Sequence, residues 1–194
     1  MVRSKVGKAG YKSLVRMIKR FVKILIVILI IVFGLTYGFK KSFPKMYLDS
    51  VERYANKHEL DPLLVLSIIK VESNFDNEAV SEKGAKGLLQ IMEPTAHWVS
   101  RKMDMPNYSP DMLYNPDCNI NIGVWYLKWL YDKYNNMDLA IIAYNGGMGN
   151  VDKWLKDKNY SDDGKTLLKI PFEETSNYLL KVKSAYKVYK FLYE

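Results

Sequence analysis

The strongest constraint in this sequence is an apolar run near its start. Ile24 to Leu35 reads ILIVILIIVFGL, and extending it to Phe21 and Phe39 gives 19 residues with a single charge, Lys23. A helix rises about 1.5 Å per residue and the hydrocarbon core of a bilayer is about 30 Å thick, so this run is just long enough to span a membrane. Lys23 lies near one end, where its flexible stem lets the ammonium reach the headgroups. A cleaved leader is the rival expectation, but the basic stretch is long for one and no small-x-small site follows the run. Arg3, Lys5, Lys8, Lys12, Arg16, Lys19, Arg20 and Lys23 precede the span, and only Lys40, Lys41 and Lys45 follow it closely. Excess positive charge stays on the cytoplasmic side, which predicts a cytoplasmic N-terminus and an extracytoplasmic remainder. Four segments follow: a basic tail over 1–20, an anchor over 21–39, a linker over 40–47 and a folded domain over 48–194.

The formal net charge of +8 belongs to the tail. Residues 1–41 hold 10 of the 29 Lys and Arg and no Asp or Glu, leaving 19 basic against 21 acidic residues in the rest. A nucleic-acid partner inferred from the overall charge would average two unlike segments, so none is expected. Cys118 is the single cysteine, so no intramolecular disulfide can form, and it reads as a small half-buried hydrophobe in a helix. His58 and His97 have no third ligand in view, so no metal and no cofactor is expected.

From Tyr47 onward the periodicity is helical almost throughout. Tyr47–His58 is amphipathic. Asp61 and Pro62 form a helix start, with Asp61 able to cap and Pro62 suited to the first turn. The segment LLVLSIIKVE that follows is apolar on nearly every side, as befits a helix in the middle of a core. Residues 73–87 are rich in Ser, Asn and Gly, and Gly84 and Gly87 suggest tight turns. A short helix opens at Glu93-Pro94, a loop covers 104–116, and further helices cover Asn119–Asn135, Met137–Asn145, Asn150–Asp157 and Glu173–Tyr193, with a loop over 158–171. No segment alternates as a strand would, so the domain is all-α with long loops. Trp98, Trp125, Trp129 and Trp154 fall at helical spacing and read as core rather than as platforms for a ligand.

Glu72 is out of place. It ends the apolar helix, where partial burial disfavours a charged carboxylate and the helix C-terminus adds partial negative charge. A carboxyl kept protonated near neutral pH is what a general acid requires.

Glu72-Ser73-Asn74-Phe75, then Ala79, Ser81, Gly84-Ala85-Lys86-Gly87-Leu88-Leu89-Gln90-Ile91-Met92 and Thr95-Ala96, resemble the soluble lytic transglycosylase (SLT) family. Ala143-Tyr144-Asn145-Gly146-Gly147 resembles its AYN-plus-glycine motif, and Glu174-Thr175 with Tyr178 and Val182 resembles its C-terminal ET-x-x-Y motif. The resemblance runs in order from about residue 48 to 194. It implies the lysozyme-like all-α fold shared with goose-type lysozymes, and peptidoglycan glycan strands as partner and substrate. Residue by residue it implies Glu72 as catalytic acid–base, Ser81 as a holder of the N-acetylated sugar, and Gln90 and Met92 as lining of the sugar cleft. Tyr144 and Asn145 then stand beside the cleft and Tyr178 close to the acid. Leu89, Glu93-Pro94, Gly146 and Met148 depart from the family pattern and imply changed shape near the cleft.

Most glycosidases use two carboxylates, and no second one here has a motif behind it. The resemblance implies the reason: the substrate's own N-acetyl group stabilises C1, so Glu72 alone suffices and the product carries a 1,6-anhydro ring. Hydrolysis on the same fold, with water as final nucleophile, is the nearest alternative. A non-catalytic wall-binding component of a membrane machine is another, and a purely structural anchored helical domain is a third. Asp76 and Glu78 read as solvated loop charges, either of which could orient the site.

Overall fold

A computed structural model of the chain describes residues 3–194, with side chains described from Leu14 onward. It divides into two units, Met1–Pro44 and Lys45–Glu194. Residues 1–2 of the expected basic tail, and the side chains of Arg3, Lys5, Lys8 and Lys12, lie outside what is described.

The first unit is one helix, α1 (Arg3–Ser42). Its stretch Leu14–Ser42 is long and apolar enough to cross a membrane, and none of the apolar part is buried. It outruns the expected 21–39 span because nothing between Phe39 and Ser42 breaks a helix. Lys40 and Lys41 are good helix formers and suit the negative end of the helix dipole. The helix stops just before Pro44, whose ring disfavours helical geometry in the residue ahead of it.

The second unit runs α2 (Leu48–Lys57), α3 (Pro62–Glu72), α4 (Glu93–Lys102), a 3-10 turn (Pro110–Tyr114), α5 (Pro116–Tyr134), α6 (Met137–Gly146), α7 (Met148–Lys156) and α8 (Glu173–Tyr193). Among the described residues there is no strand, only isolated bridges from Lys86 to Val80 and to Ile91. Among the described residues the fold is all-α.

The helix α3 is the axis of the core. Asp61 caps it, its carboxylate accepting from the Leu63 N–H at 2.7 Å, and Pro62 occupies the first turn. Leu64 through Ile69 are all buried, and α3 packs chiefly against α8 and α2. Burying each such Leu or Ile contributes about 1.5–3 kcal/mol. The one hydroxyl in this run, on Ser67, is satisfied within the helix by donating to the Leu63 carbonyl at 2.6 Å. The partner helix α8 presents Thr175, Tyr178, Val182, Ala185 and Tyr189, a stripe at alternating three- and four-residue steps.

Two helix starts fall earlier than the sequence suggests. α5 begins at Pro116 rather than Asn119, because Asn115 caps it through the Cys118 N–H at 3.0 Å and Pro116 fills the first position. α7 begins at Met148 rather than Asn150, with Gly147 at φ 83 supplying the sharp entry. Cys118 lies in the first turn of α5 and is buried. The end of α3, the end of α6 and the start of α8 converge beside the long 73–92 loop.

Candidate active site

The loop between α3 and α4 has little regular structure, so its backbone polar groups need other partners. Many are met locally. The Ser81 N–H donates to the Ala85 carbonyl at 2.9 Å, the Gly87 N–H to Ala79 at 2.9 Å, and Lys86 and Ile91 exchange a pair at 3.1 and 3.0 Å. The rest are met from the core. Asn119 in α5, fully buried, accepts from the Leu89 N–H at 2.8 Å and donates to the carbonyls of Lys86 at 3.0 Å and Leu113 at 2.8 Å. The Ser73 hydroxyl donates to Leu88 at 2.9 Å and the Tyr144 hydroxyl to Leu89 at 2.8 Å. Gly87 is obligatory here: at φ 73 a Cβ would sit 2.2 Å from the Leu113 carbonyl oxygen and 2.3 Å from the Asn119 amide nitrogen.

This loop forms one wall of a cleft of about 390 Å³ lined by Glu72, Ser81, Gln90, Met92 and Asn145, with Glu82, Lys83, Ala85 and Glu174 around them. Glu72 closes α3 and reaches into this space. Burial pushes its carboxyl up to about 7, against a hydrogen bond from Tyr178 that favours the charged form. Burial is the dominant cause. The Tyr178 hydroxyl donates to Glu72 Oε1 at 2.6 Å from the buried face of α8. Burial, and then the neighbouring Glu72, raise the phenols of both Tyr144 and Tyr178 well above their ordinary value, so both stay neutral donors.

The remaining cleft groups are individually fixed. Gln90 sits at φ 45, a left-handed conformation uncommon for a non-glycine residue, and its amide donates to the carbonyls of Ala79 at 3.0 Å and Gly87 at 2.9 Å. Its amide donors therefore serve the loop, leaving the oxygen for a ligand. The Ser81 hydroxyl accepts from the Ala85 N–H at 3.0 Å and keeps its own proton to donate. Asn145 is oriented by Thr175, whose buried hydroxyl donates to Oδ1 at 2.8 Å and leaves the amide donors for the cleft. Gly146 allows that approach, since a Cβ would lie 3.0 Å from the Thr175 hydroxyl oxygen. Met92, more than a third exposed, offers an apolar surface.

Tyr144 and Tyr178 do not line the cleft. They are packed around the acid, one holding the loop and the other holding Glu72. Asp76 and Glu78 stay out as well: Asp76 is exposed and accepts from the Glu78 N–H at 2.9 Å. The carboxylates at the cleft beside Glu72 are Glu82 and Glu174, and Glu174 pairs with Lys83 at 3.4 Å. Of the departures from the family pattern, Leu89 faces inward, 2 % exposed and in close contact with Gly123, so it alters the core rather than the cleft. Glu93 pairs with Lys86 behind the loop. Sequence reasoning missed Asn119, Glu82 and Lys83, and it named Thr175 only as part of a motif, without a role. For Asn119 there was a signal, an amide among apolar neighbours in NINIG, which a buried position obliges to find partners.

The Transglycosylase SLT domain model matches residues 49–168. The soluble lytic murein transglycosylase of Escherichia coli K12 is 36 % identical over 149 residues, spanning 75 % of this chain and 23 % of that protein. The membrane-bound lytic murein transglycosylase C of Yersinia enterocolitica is 34 % identical over 166 residues, spanning 74 % of this chain and 46 % of its own length. The solved 70 kDa soluble lytic transglycosylase of E. coli superposes with a TM-score of 0.70 at 32 % identity, covering 79 % of this chain and 25 % of that one. The chain thus spans from about a quarter to about a half of the length of these relatives, and the family model covers Glu72, Ser81, Gln90, Met92 and Asn145 of the cleft. On sequence and on fold together, the chain belongs to the transglycosylase SLT domain family.

Proposed function

We propose that this chain is a membrane-anchored peptidoglycan lytic transglycosylase with Glu72 as its acid and then its base. The observation that carries the reading is the Glu72 carboxyl, raised to about 7 by burial and opening onto a cleft of hydrogen-bonding side chains. Glu72 donates its proton to the β-1,4 oxygen between N-acetylmuramic acid and N-acetylglucosamine. The C1–O4 bond breaks with its electron pair going to O4, while the substrate's acetamido oxygen closes on C1. The Glu72 carboxylate then takes the proton of the C6 hydroxyl, O6 attacks C1, and the acetamido group is released. The product is a 1,6-anhydro sugar, and no water is consumed. The Tyr178 hydroxyl stabilises the carboxylate between the two steps. Ser81, Asn145 and Gln90 offer donors and an acceptor to the sugar, and Met92 an apolar face.

The anchor belongs to the same proposal. α1 spans the membrane once over 21–39, with the basic tail over 1–20 in the cytoplasm and, after the linker over 40–47, the domain over 48–194 outside it, where the wall is. The membrane-bound relatives support an enzyme of this family held at a membrane. Nothing in the cleft favours hydrolysis specifically: Glu82 and Glu174, the other carboxylates lining it, are both exposed, and Glu174 is paired with Lys83.

Purified sacculi digested with the wild-type chain and with Glu72→Gln, followed by mass spectrometry of the fragments, test this. Anhydro ends, lighter by one water than reducing ends and absent with Glu72→Gln, are expected. New reducing ends alone would assign the chain to hydrolysis, and unchanged cleavage by Glu72→Gln would remove Glu72 from the mechanism.

A further inference from the structure

The helix α8 has a second apolar feature besides its buried stripe. At about 100° per residue, Leu180 and Phe191 fall on the side of the helix opposite Thr175, Tyr178, Val182, Ala185 and Tyr189. Leu180 is 60 % and Phe191 84 % exposed. Single apolar side chains on a surface are ordinary, but these two share one helix face with lysines. Lys187 lies between them, one turn before Phe191, and Lys181 and Lys183 flank the face on either side. The stretch from Asn177 to Phe191 contains no Asp or Glu. Lys183 pairs with Asp138 of α6, and Lys190 with Asp61 and Glu194, whereas the exposed Lys181 and Lys187 meet no carboxylate among the described residues. Exposed apolar residues flanked by such lysines form the pattern of a helix that lies in a headgroup layer.

The covalent path of the chain says what covers this face. Lys45 opens the domain, and its ammonium sits 4.9 Å over the ring of Tyr193, in the last turn of α8. Lys45 follows Phe39, where the proposed span ends, by six residues, and six residues reach at most about 22 Å. The chain itself therefore keeps the C-terminal end of α8 close to the bilayer surface. Headgroup phosphates attract the lysines, and the acyl boundary just below them accepts Leu and Phe. A second copy of the same face would instead bring lysines against lysines.

We propose that the outward face of α8, with Leu180, Lys181, Lys187 and Phe191, rests on the outer headgroup layer of the phospholipid membrane that holds α1. The proposal rests on the anchor assigned above. Because the anchor already holds the domain at the bilayer, this second contact is intramolecular, and weak attraction suffices for it. The same helix carries Tyr178 to Glu72 and Thr175 to Asn145, so docking keeps the cleft within reach of glycan lying next to the membrane.

The full chain is placed in lipid nanodiscs, one chain per disc, made of equal parts phosphatidylcholine and phosphatidylglycerol with acyl chains brominated near the headgroups. Phe191→Trp puts an indole on the proposed face. Lys102→Trp puts one on an exposed position of α4, which packs on α5 rather than on α8. The four native tryptophans give a background that is measured in the wild type and subtracted. Bromine is expected to quench the emission added by Phe191→Trp and to leave that added by Lys102→Trp. Adding Lys181→Glu and Lys187→Glu to Phe191→Trp is expected to restore the lost emission, with folding checked by circular dichroism. Equal quenching at the two positions overturns the proposal, as does quenching at 191 that the double charge reversal leaves unaltered. Quenching at 191 that appears only with two chains per disc also overturns it and assigns the face to a second copy. A chain that does not enter the discs overturns the anchor and this contact together, whereas a chain that enters them with an unquenched indole at 191 overturns this contact alone. The proposed cleavage is read separately, from anhydro ends released by the wild type.

Discussion

The chain has two strongly apolar helical stretches with opposite fates. In α1 the side chains from Phe21 to Phe39 present their apolar surface all round, with Leu29 58 % and Phe33 73 % exposed. In α3 no residue from Leu64 to Ile69 exceeds 7 %. Apolar composition alone therefore does not decide where a helix goes. Length decides more: α3 has 11 residues, too few to cross a bilayer, and it is wrapped by α8 and α2. Each stretch also has a charged residue near one end. Lys23 has a long stem and can carry its ammonium to water or headgroups. Glu72 is short, half-buried and held by Tyr178, so it cannot leave and changes its protonation instead. A charge beside an apolar helix either escapes or titrates, and only the second kind supplies an acid at neutral pH.

Exchanging those two charged groups for amides breaks the comparison most sharply. Glu72→Gln keeps the shape and removes the proton; general acid–base catalysis contributes about 10²–10⁴-fold, and release of anhydro fragments should fall by at least that range. Lys23→Gln should leave the rate of fragment release from soluble glycan unchanged. Equal losses for the two variants would mean that Glu72 acts structurally.

Deleting the same side chain from each helix comes next in size. Leu66 is fully buried, and Leu66→Ala should cost the folded domain about 2–5 kcal/mol through lost burial and the cavity left behind. Leu29→Ala in α1 should leave the thermal midpoint of the domain within error, and its effect should be read in membrane fractionation instead. A fall in the domain's midpoint with Leu29→Ala would show that α1 contributes to the core.

Much of the fold was legible because local signals coincide with tertiary ones. Glu173–Tyr193 was readable to the residue, since its apolar stripe and its preceding loop agree. The Asp61-Pro62 start was readable from a cap followed by proline. The same pair at Asn115-Pro116 was obscured by the prolines crowding 104–116, which also hid the 3-10 turn at Pro110–Tyr114. Glu72, Ser81, Gln90, Met92 and Asn145, which line the cleft, are legible from motifs, while Glu82 and Lys83 beside them are not. What no motif or period could state is how they are held. Asn119 joins three backbone groups from two separate segments, and Thr175 aims Asn145 from 30 residues away. Such contacts depend on where helices cross, which composition does not encode. Tyr144 illustrates the limit: its position beside the site could be anticipated, but its bond to the Leu89 carbonyl makes it a support for the loop rather than part of the cleft surface.

The pH dependence of stability separates an escaping charge from a titrating one. Glu72 rises from an ordinary 4.5 to about 7 on folding, so the folded chain binds its proton more tightly than the unfolded chain does. Folding is then favoured below pH 4.5, and the advantage is lost as pH climbs toward 7, a change of about 3 kcal/mol for this one group. Glu72→Gln, which cannot ionise, should therefore be more stable than wild type at pH 8 by about that amount, with the difference vanishing near pH 4. Thermal midpoints of the two proteins across pH 4–8 measure it. Parallel curves would mean that the carboxyl is solvated in the folded state.

The smallest effect comes from loosening Glu72 without removing it. Tyr178→Phe keeps the buried ring and deletes the hydroxyl bonded to Oε1. That bond favours the charged carboxylate, so its loss should raise the Glu72 value above about 7 and move the alkaline limb of kcat/KM to higher pH. The same bond stabilises the negative charge that appears on Glu72 as its proton leaves. Hydrogen bonds to charged groups are worth about 1.5–3 kcal/mol, so kcat should fall roughly ten- to hundredfold. The two effects together are diagnostic. A residue that merely packs against α3 would lower kcat with the limb unmoved, whereas a shifted limb with a reduced plateau requires Tyr178 to act through the proton of Glu72.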